Sequence, residues 1–183
     1  MKISRQNETG AFGSRNLILK LARGALIAAA YIALTIILRP FSFGIYQLRV
    51  SESLCLLPVL FPEAVLGLFI GCLGANLLST NNLLLDLTLG SGATLLAAYL
   101  TSKIHNRYLA ALPPVLCNAV MVPLIISLSG TFEKDTFLLT YFTNGGIVLV
   151  EQFIVCYGLG LPLLRLVRYV ADKLGIPVRE WKK

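Results

Sequence analysis

The chain has 183 residues, of which 56% are hydrophobic and only 14% are charged. A soluble domain averages about 45–50% apolar and about 25% charged residues, so both values depart from that class in the same direction. This composition excludes a soluble enzyme, a disulfide-rich scaffold and a disordered protein. The charged residues are also widely spaced: 22 uncharged residues separate Glu63 from Asp86, and 25 separate Arg107 from Glu133. Because about 17–25 apolar residues are enough for one helix to cross a bilayer, the sequence predicts a small, all-α, polytopic membrane protein.

Six apolar segments are candidates for membrane crossings. The second is the weakest, because it has only about 14 residues, contains Pro58 and would rise about 21 Å as an α-helix. In chain order the six segments cover residues 24–38, 48–61, 64–80, 87–102, 108–128 and 139–164.

The basic residues predict the topology of these six segments. Of the 16 Lys and Arg residues, 13 lie before the first segment, after the last, or in the short loop that contains Lys103 and Arg107. Cytoplasmic loops carry such an excess, so both termini are predicted to be cytoplasmic and the number of crossings to be even, which retains the short second segment. The net charge of +7 therefore indicates topology and not a nucleic-acid partner.

The resulting domain organisation has three parts. Residues 1–20 form a cytoplasmic N-terminal tail, in which residues 10–14 are not expected to have regular structure. Residues 21–170 form the six-helix transmembrane domain, and residues 171–183 form a cytoplasmic C-terminal tail.

Motifs for catalysis, metal binding or nucleotide binding are not recognisable. Four cysteines lie singly inside apolar segments, which is typical of small buried side chains and predicts neither a metal nor a cofactor. The glycine-rich stretch that begins at Gly90 lacks the lysine of a phosphate-binding loop. No nucleophile–base pair is found, so an enzyme is not predicted. Uphill transport would therefore need a partner or an ion gradient.

Small residues mark two faces of the first apolar segment. Ala25, Ala29 and Ala33 recur every four residues, and Gly24 with Ala28 forms a second series. Small residues mark helix contacts in lipid because they let backbones approach closely. Two such faces are more than one internal neighbour requires, so one of them could contact another protein.

Polar residues inside or beside the apolar segments are the candidate binding residues. An ionisable residue at the centre of a bilayer costs at least about 2.5–3.5 kcal/mol, and Glu151 is the strongest case. The alternatives are interhelical hydrogen bonds for the amides, an interfacial Arg49–Glu52 ion pair, and helix capping by Asp86. A patch of carboxylates and carboxamides suits a planar ligand rich in N–H donors, such as a guanine edge. The predicted substrate-binding residues are Gln47, Arg49, Glu52, Asn76, Asp86, Asn118, Tyr141, Asn144, Glu151 and Gln152.

Four stretches of the chain form a set of motifs with a specific order and spacing: residues 47–58 (QLRVSESLCLLP), 62–68 (PEAVLGL) and 74–78 (GANLL), and Asp86 followed by residues 90–98 (GSGATLLAA). These motifs resemble the QueT family of substrate-binding (S) components of energy-coupling-factor (ECF) transporters. The resemblance implies a six-helix membrane protein that docks on a transmembrane coupling subunit driven by two cytoplasmic ATPases. It implies that Ala25 and Ala29, extended by Ala33, contact that subunit. The implied ligand is a queuosine precursor, a 7-deazaguanine such as the 7-aminomethyl form, taken up from outside beneath an occluding loop at residues 41–46.

One alternative of a different class remains open. A stand-alone proton-coupled carrier of a small polar metabolite could use Glu151 as its proton site. Either reading places the chain in the cell membrane with several crossings, in contact with lipid.

Overall fold

Helices account for nearly all of the regular structure in the computed structural model, which describes residues 3–39, 49–78, 82–129 and 134–180. These residues contain no β-strand, so the all-α prediction is confirmed for them. In chain order the helices are α1 (Ile3–Ile37), a 3-10 helix (Val50–Val59), α2 (Ala64–Asn76), α3 (Leu83–Lys103), α4 (Leu109–Ser129), α5 (Lys134–Phe153) and α6 (Leu161–Lys173). A π-helical segment, Asp86–Gly90, lies inside α3, and another, Ile154–Gly160, joins α5 to α6 without a break.

Four helical stretches are long and apolar enough to cross a membrane: Asn16–Ile37, Leu83–Lys103, Leu109–Ser129 and Phe137–Lys173. The 3-10 helix and α2 are shorter apolar helices. The six predicted segments therefore correspond to four helices of membrane-spanning length and two shorter apolar helices. Large apolar side chains project from the long helices with at least 70% of their surface exposed, namely Leu26, Ile37, Leu84, Leu139 and Phe142. Apolar exposure on this scale requires an apolar surrounding, which indicates contact with lipid.

The short second apolar segment is a 3-10 helix and not an α-helix. A 3-10 helix rises about 2.0 Å per residue against 1.5 Å for an α-helix, so the same chain reaches about a third farther. Every residue from Ser51 to Val59 is buried, and the helix packs against α1, α3 and the π-helical segment Ile154–Gly160. A run of this length is uncommon, and the 3-10 helix forms the centre of the bundle.

Close contact between α1 and α2 uses the small residues of one face only. A Cβ atom added to Gly67 would overlap the carbonyl oxygen of Gly24, and one added to Gly71 would lie 3.0 Å from Cα of Ala28. The Gly24 and Ala28 face is therefore internal. Ala25, Ala29 and Ala33 on the neighbouring face of α1 stay exposed.

The N-terminal residues differ from the predicted tail. α1 begins at Ile3, so the expectation of no regular structure at residues 10–14 is wrong. Extending an existing helix adds a hydrogen bond per residue ordered, whereas nucleation is the costly step, and no proline interrupts residues 3–37. The span of α1 thus continues without a break through the predicted boundary at residue 20.

The C-terminal residues fold back on the bundle and do not extend as a simple tail. α6 ends at Lys173, and Gly175 adopts a left-handed φ of 65° while the Ile176 amide donates to the Ala171 carbonyl at 2.9 Å. This is the hydrogen-bond pattern of a Schellman cap, which glycine favours because it lacks a Cβ. Residues 176–180 then return along one end of the bundle, which we call the basic end because Arg23, Lys103 and Arg179 lie there.

Arg179 attaches this returning segment to two loops. Its amide donates to the carbonyl of Leu60 at 3.1 Å, and its guanidinium donates to the carbonyl of Ser102 at 2.6 Å and lies 2.7 Å from His105 Nε2. The side chains of Ile176 and Val178 pack against the hydrophobic core. The predicted C-terminal tail is therefore, up to Glu180, part of the folded unit.

Candidate functional site

The carboxylate of Glu52 lies at the centre of the bundle. Only 1% of the residue is exposed, although it is ionisable and belongs to an apolar 3-10 helix. The Tyr31 hydroxyl donates to Glu52 Oε1 at 2.5 Å, Thr94 Oγ1 donates to the same oxygen at 3.4 Å, and Cys55 Sγ donates to Oε2 at 3.0 Å. Three helices, α1, the 3-10 helix and α3, therefore converge on one carboxylate.

Two further charged groups surround this carboxylate. Arg49 is 7% exposed and Asp86 is 6% exposed, so both are buried. Arg49 lies within electrostatic range of Glu52, Asp86 and the Tyr31 hydroxyl. A buried charge is tolerated only when opposite charges or hydrogen bonds compensate it, so these groups stabilise one another.

Asn76 connects α2 to the π-helical segment of α3. Its Nδ2 donates to the Asp86 carbonyl at 2.8 Å and to Ser91 Oγ at 3.1 Å. Gly90 permits this approach, because a Cβ there would lie 3.2 Å from Nδ2. The other amide atom, Oδ1, is buried and has no hydrogen-bond partner among the described residues. An unpaired buried acceptor is costly in a folded protein and is often matched by a ligand or water.

These residues form the buried polar cluster, consisting of Tyr31, Arg49, Glu52, Asn76, Asp86, Ser91 and Thr94. The sequence prediction included Arg49, Glu52, Asn76 and Asp86, and the structure brings these four together. A π-helical turn, which often marks a functional position, lies within the cluster at Asp86–Gly90.

A second polar contact lies next to the cluster. Asn118 Nδ2 of α4 donates to Gln152 Oε1 of α5 at 3.2 Å, and each residue is 3% exposed. Cys156, one turn after Gln152, lies within electrostatic range of Glu52. This amide pair therefore lies close to the cluster and pairs two predicted site residues with each other.

The remaining predicted residues do not share these contacts. The Tyr141 hydroxyl donates to the Val120 carbonyl at 3.3 Å, and Asn144 Nδ2 donates to the Thr140 carbonyl of its own helix at 2.9 Å. Glu151 is partly exposed, and its buried Oε2 has no hydrogen-bond partner within the described part of the chain. Gln47 and the predicted occluding loop at residues 41–46 lie outside the described residues.

A protein-family model described as QueT transporter matches residues 21–169, which is most of the chain. The chain belongs to the QueT transporter family. The predicted membership is thereby confirmed, and it identifies a multi-pass membrane protein of a transporter family. Searches of curated proteins and of solved structures found no match.

Sequence reasoning missed part of the site of this QueT-family chain. Tyr31 and Thr35 are one turn apart in α1 on the face that packs inward, and the Thr35 hydroxyl lies 2.9 Å from Ser51 Oγ. Thr94 follows Gly90 by one turn and points to Glu52. The available signal in α1 was the pair Tyr31 and Thr35, two residues with hydroxyl groups four positions apart in an apolar helix, since residues at this spacing lie on the same helix face.

The buried polar cluster of this QueT-family chain offers several groups that can bind a polar ligand. No group of three His, Cys, Asp or Glu side chains that could hold a metal lies within the described residues. The cluster combines two carboxylates, a guanidinium and an amide oxygen, Asn76 Oδ1, that has no hydrogen-bond partner among the described residues. Such a set recognises a polar ligand that offers several N–H donors.

Proposed function

We propose that the chain is the S component of an ECF importer and binds a 7-deazaguanine, such as 7-aminomethyl-7-deazaguanine, in the buried polar cluster. The observation that carries this proposal is Glu52, a carboxylate at the centre of a membrane transporter. Its four acceptor positions receive only one short hydrogen bond from oxygen, together with a long bond from Thr94 and a weak thiol donor. One acceptor position remains on Oε2, and displacement of the long bond from Thr94 frees one on Oε1, so the carboxylate can then receive two parallel N–H groups of a guanine-like edge.

The other polar groups suit the rest of such a ligand. Asn76 Oδ1 offers a buried acceptor for a further N–H group, and Asp86 provides a second carboxylate for an aminomethyl ammonium. Arg49 can donate to a ligand carbonyl oxygen. Because Glu52 and Asn76 are each 1% exposed, the ligand enters by a local opening of the helices around the cluster.

Energy coupling by a partner is supported by two features. The Ala25, Ala29 and Ala33 face of α1 is exposed, whereas the adjoining Gly24 and Ala28 face is already occupied by α2. A phosphate-binding loop is not recognisable in the sequence. We therefore propose that the alanine face docks on the transmembrane coupling subunit and that two cytoplasmic ATPases supply the energy.

The proposed orientation puts the basic end in the cytoplasm, with six crossings and both termini on that side. Residues of α1 and of the C-terminal segment line the same cavity at this end, which supports a common side for the two termini. The concentration of Lys and Arg there agrees with the excess found on the cytoplasmic side of membrane proteins.

Isothermal titration of the purified chain with 7-aminomethyl-7-deazaguanine tests the substrate. We expect saturable binding and no ATP hydrolysis by the chain alone. Adenine and guanine serve as comparison ligands, because neither carries the cationic arm. Binding of a different vitamin, together with no heat from any deazaguanine, would refute the substrate class.

Substitution of the alanine face tests the coupling. The double substitution Ala25→Leu and Ala29→Leu should leave ligand binding and the unfolding temperature unchanged but abolish ATP-dependent uptake in vesicles that contain the partner module. Gly146→Leu is the matched control, because Gly146 is exposed on α5 and a Cβ there meets no atom within 4 Å. Normal uptake by the double variant would show that this face does not dock.

One observation favours a second candidate function. Glu151 Oε2 is buried in the long α5–α6 pass without a hydrogen-bond partner among the described residues, as expected for a carboxyl group that exchanges a proton. Uptake driven by a pH gradient into liposomes containing only this chain, abolished by Glu151→Gln, would support a proton-coupled carrier. Absence of such uptake would leave the importer proposal alone.

A further inference from the structure

A cavity of about 750 Å³ at the basic end carries an excess of positive charge. It lies between α1, the turn that follows the 3-10 helix, and the returning C-terminal segment. Its charged lining residues are Lys20, Arg23, Arg179 and Glu63, which leaves two positive charges in excess. The rest of its lining is mostly apolar and includes Leu60 and Phe61.

The three cations of this cavity are held differently. Arg23 is fixed, because its guanidinium forms an ion pair with Glu63 at 2.9 Å and lies 5.2 Å from the centre of the Phe61 ring. Arg179 is fixed by the carbonyl of Ser102. Lys20 is exposed and forms no ion pair with any described residue. The cavity thus presents one adaptable ammonium group beside two ordered guanidinium groups.

An apolar groove of about 770 Å³ adjoins this cavity. It runs between α1 and α2 and is lined along α1 from Leu17 to Ile32, with Leu66 and Ile70 on the α2 side. Lys20 and Glu63 line both the cavity and the groove, so the two spaces meet at these residues. From Leu17 to Ile32 an α-helix extends about 22 Å, which exceeds half of the ~30 Å hydrocarbon core.

We infer that the cavity and the groove together bind one anionic phospholipid. The phosphate lies beside Lys20 and Arg23 in the cavity, and one acyl chain lies in the groove along α1. Basic pockets at the ends of transmembrane helices attract anionic headgroups, and apolar grooves between helices accept acyl chains. The combination of a basic cavity and a continuous apolar groove selects an amphiphile over a free anion.

The proposed lipid site overlaps the alanine face of α1 that is proposed to dock on the coupling subunit. Binding of the lipid does not require this docking. The groove includes Ala25 and Ala29, so lipid occupies this surface only when no protein is docked there. The affinity of the isolated chain for lipid can be measured without a 7-deazaguanine and without a partner. Failure of the lipid inference and failure of the proposed function are therefore distinguishable.

Native mass spectrometry of the delipidated full chain in detergent tests the inference. Phosphatidylglycerol is compared with phosphatidylcholine that carries the same acyl chains, and inorganic phosphate is the third ligand. Lys20→Gln should weaken phosphatidylglycerol binding about five-fold, which corresponds to the ~1 kcal/mol that one lysine contributes beside an anionic headgroup. Lys173→Gln is the matched control, because Lys173 is an exposed lysine near the same end that lines neither space.

A second variant examines the groove. Ala29→Leu fills the groove and should weaken binding of both lipids, whereas Gly146→Leu should not. Equal affinity for the two lipids, or equal losses in Lys20→Gln and Lys173→Gln, would overturn the headgroup assignment. Inorganic phosphate binding as tightly as phosphatidylglycerol, or Ala29→Leu without effect, would overturn the groove and leave only an anion site.

Discussion

Replacing Glu52 by glutamine removes the central charge and keeps the shape of the side chain. In the structure, one carboxylate oxygen accepts from the Tyr31 hydroxyl at 2.5 Å and the other accepts from Cys55 Sγ at 3.0 Å. Glutamine can keep its carbonyl oxygen toward Tyr31 and turn its amide group toward the sulfur, which accepts weakly. We therefore expect the chain to fold, with a loss of about 1 kcal/mol in the free energy of unfolding.

Ligand binding should respond far more strongly to Glu52→Gln. Two parallel N–H donors of a guanine-like edge need two acceptor oxygens, and the glutamine amide presents a donor to one of them. A hydrogen bond to a charged group contributes about 1.5–3 kcal/mol, and the unmatched donor adds to the loss. A total of about 3 kcal/mol corresponds to an increase of about a hundred-fold in Kd.

Isothermal titration with 7-aminomethyl-7-deazaguanine measures this change, and the unfolding temperature in detergent reports whether the variant is folded. Glu180→Gln is the control, because it neutralises an exposed carboxylate at the basic end. Comparison with Glu151→Gln shows which carboxylate binds the ligand: that of Glu52 at the centre of the cluster, or that of Glu151, which the sequence alone favoured. A folded Glu52→Gln chain that binds with unchanged affinity would falsify the assignment of the ligand site to this cluster.

Two further substitutions examine the fold around the site. Gly67→Ala places a Cβ against the carbonyl oxygen of Gly24 and should lower stability by about 1–3 kcal/mol, as measured by thermal unfolding. Gly92→Ala, where a Cβ meets no atom within 4 Å, should not lower it, and equal stability of the two variants would contradict the close α1–α2 contact. Arg179→Ala should speed hydrogen exchange of the C-terminal residues and cost about 1–2 kcal/mol, because the hydrogen bond to the Ser102 carbonyl is lost. Unchanged exchange in that variant would show that the segment is held by its apolar contacts alone.

The extent of the membrane segments is largely readable from the sequence. The predicted segments 87–102 and 108–128 agree with α3 and α4 to within a few residues. Transfer of a helix into lipid depends on its own length and composition, which are local properties. The helical form of residues 50–59 was not predictable in this way, because an apolar run of ten residues fits several helix types.

The candidate site was predictable only in part. Arg49, Glu52, Asn76 and Asp86 stood out as costly polar residues in apolar surroundings, and burial is their common feature. Glu151 stood out for the same reason, yet the structure leaves it partly exposed and outside the cluster. The sequence identifies a polar residue whose placement in lipid costs free energy, but it does not determine which side of that residue's helix faces the interior of the bundle.

The sequence by itself determined that this protein lies in a membrane, that it is helical and to which family it belongs. Hydropathy, charge distribution and motif spacing, which indicate these three properties, belong to the chain before it folds. Only the tertiary structure decided which polar groups meet. Tyr31 and Glu52 are 21 residues apart, Glu52 and Thr94 are 42 apart, and Ser102 and Arg179 are 77 apart. Such contacts depend on helix rotation and packing throughout the bundle. The same packing turned Gly24 and Ala28 inward and left Ala25 and Ala29 exposed.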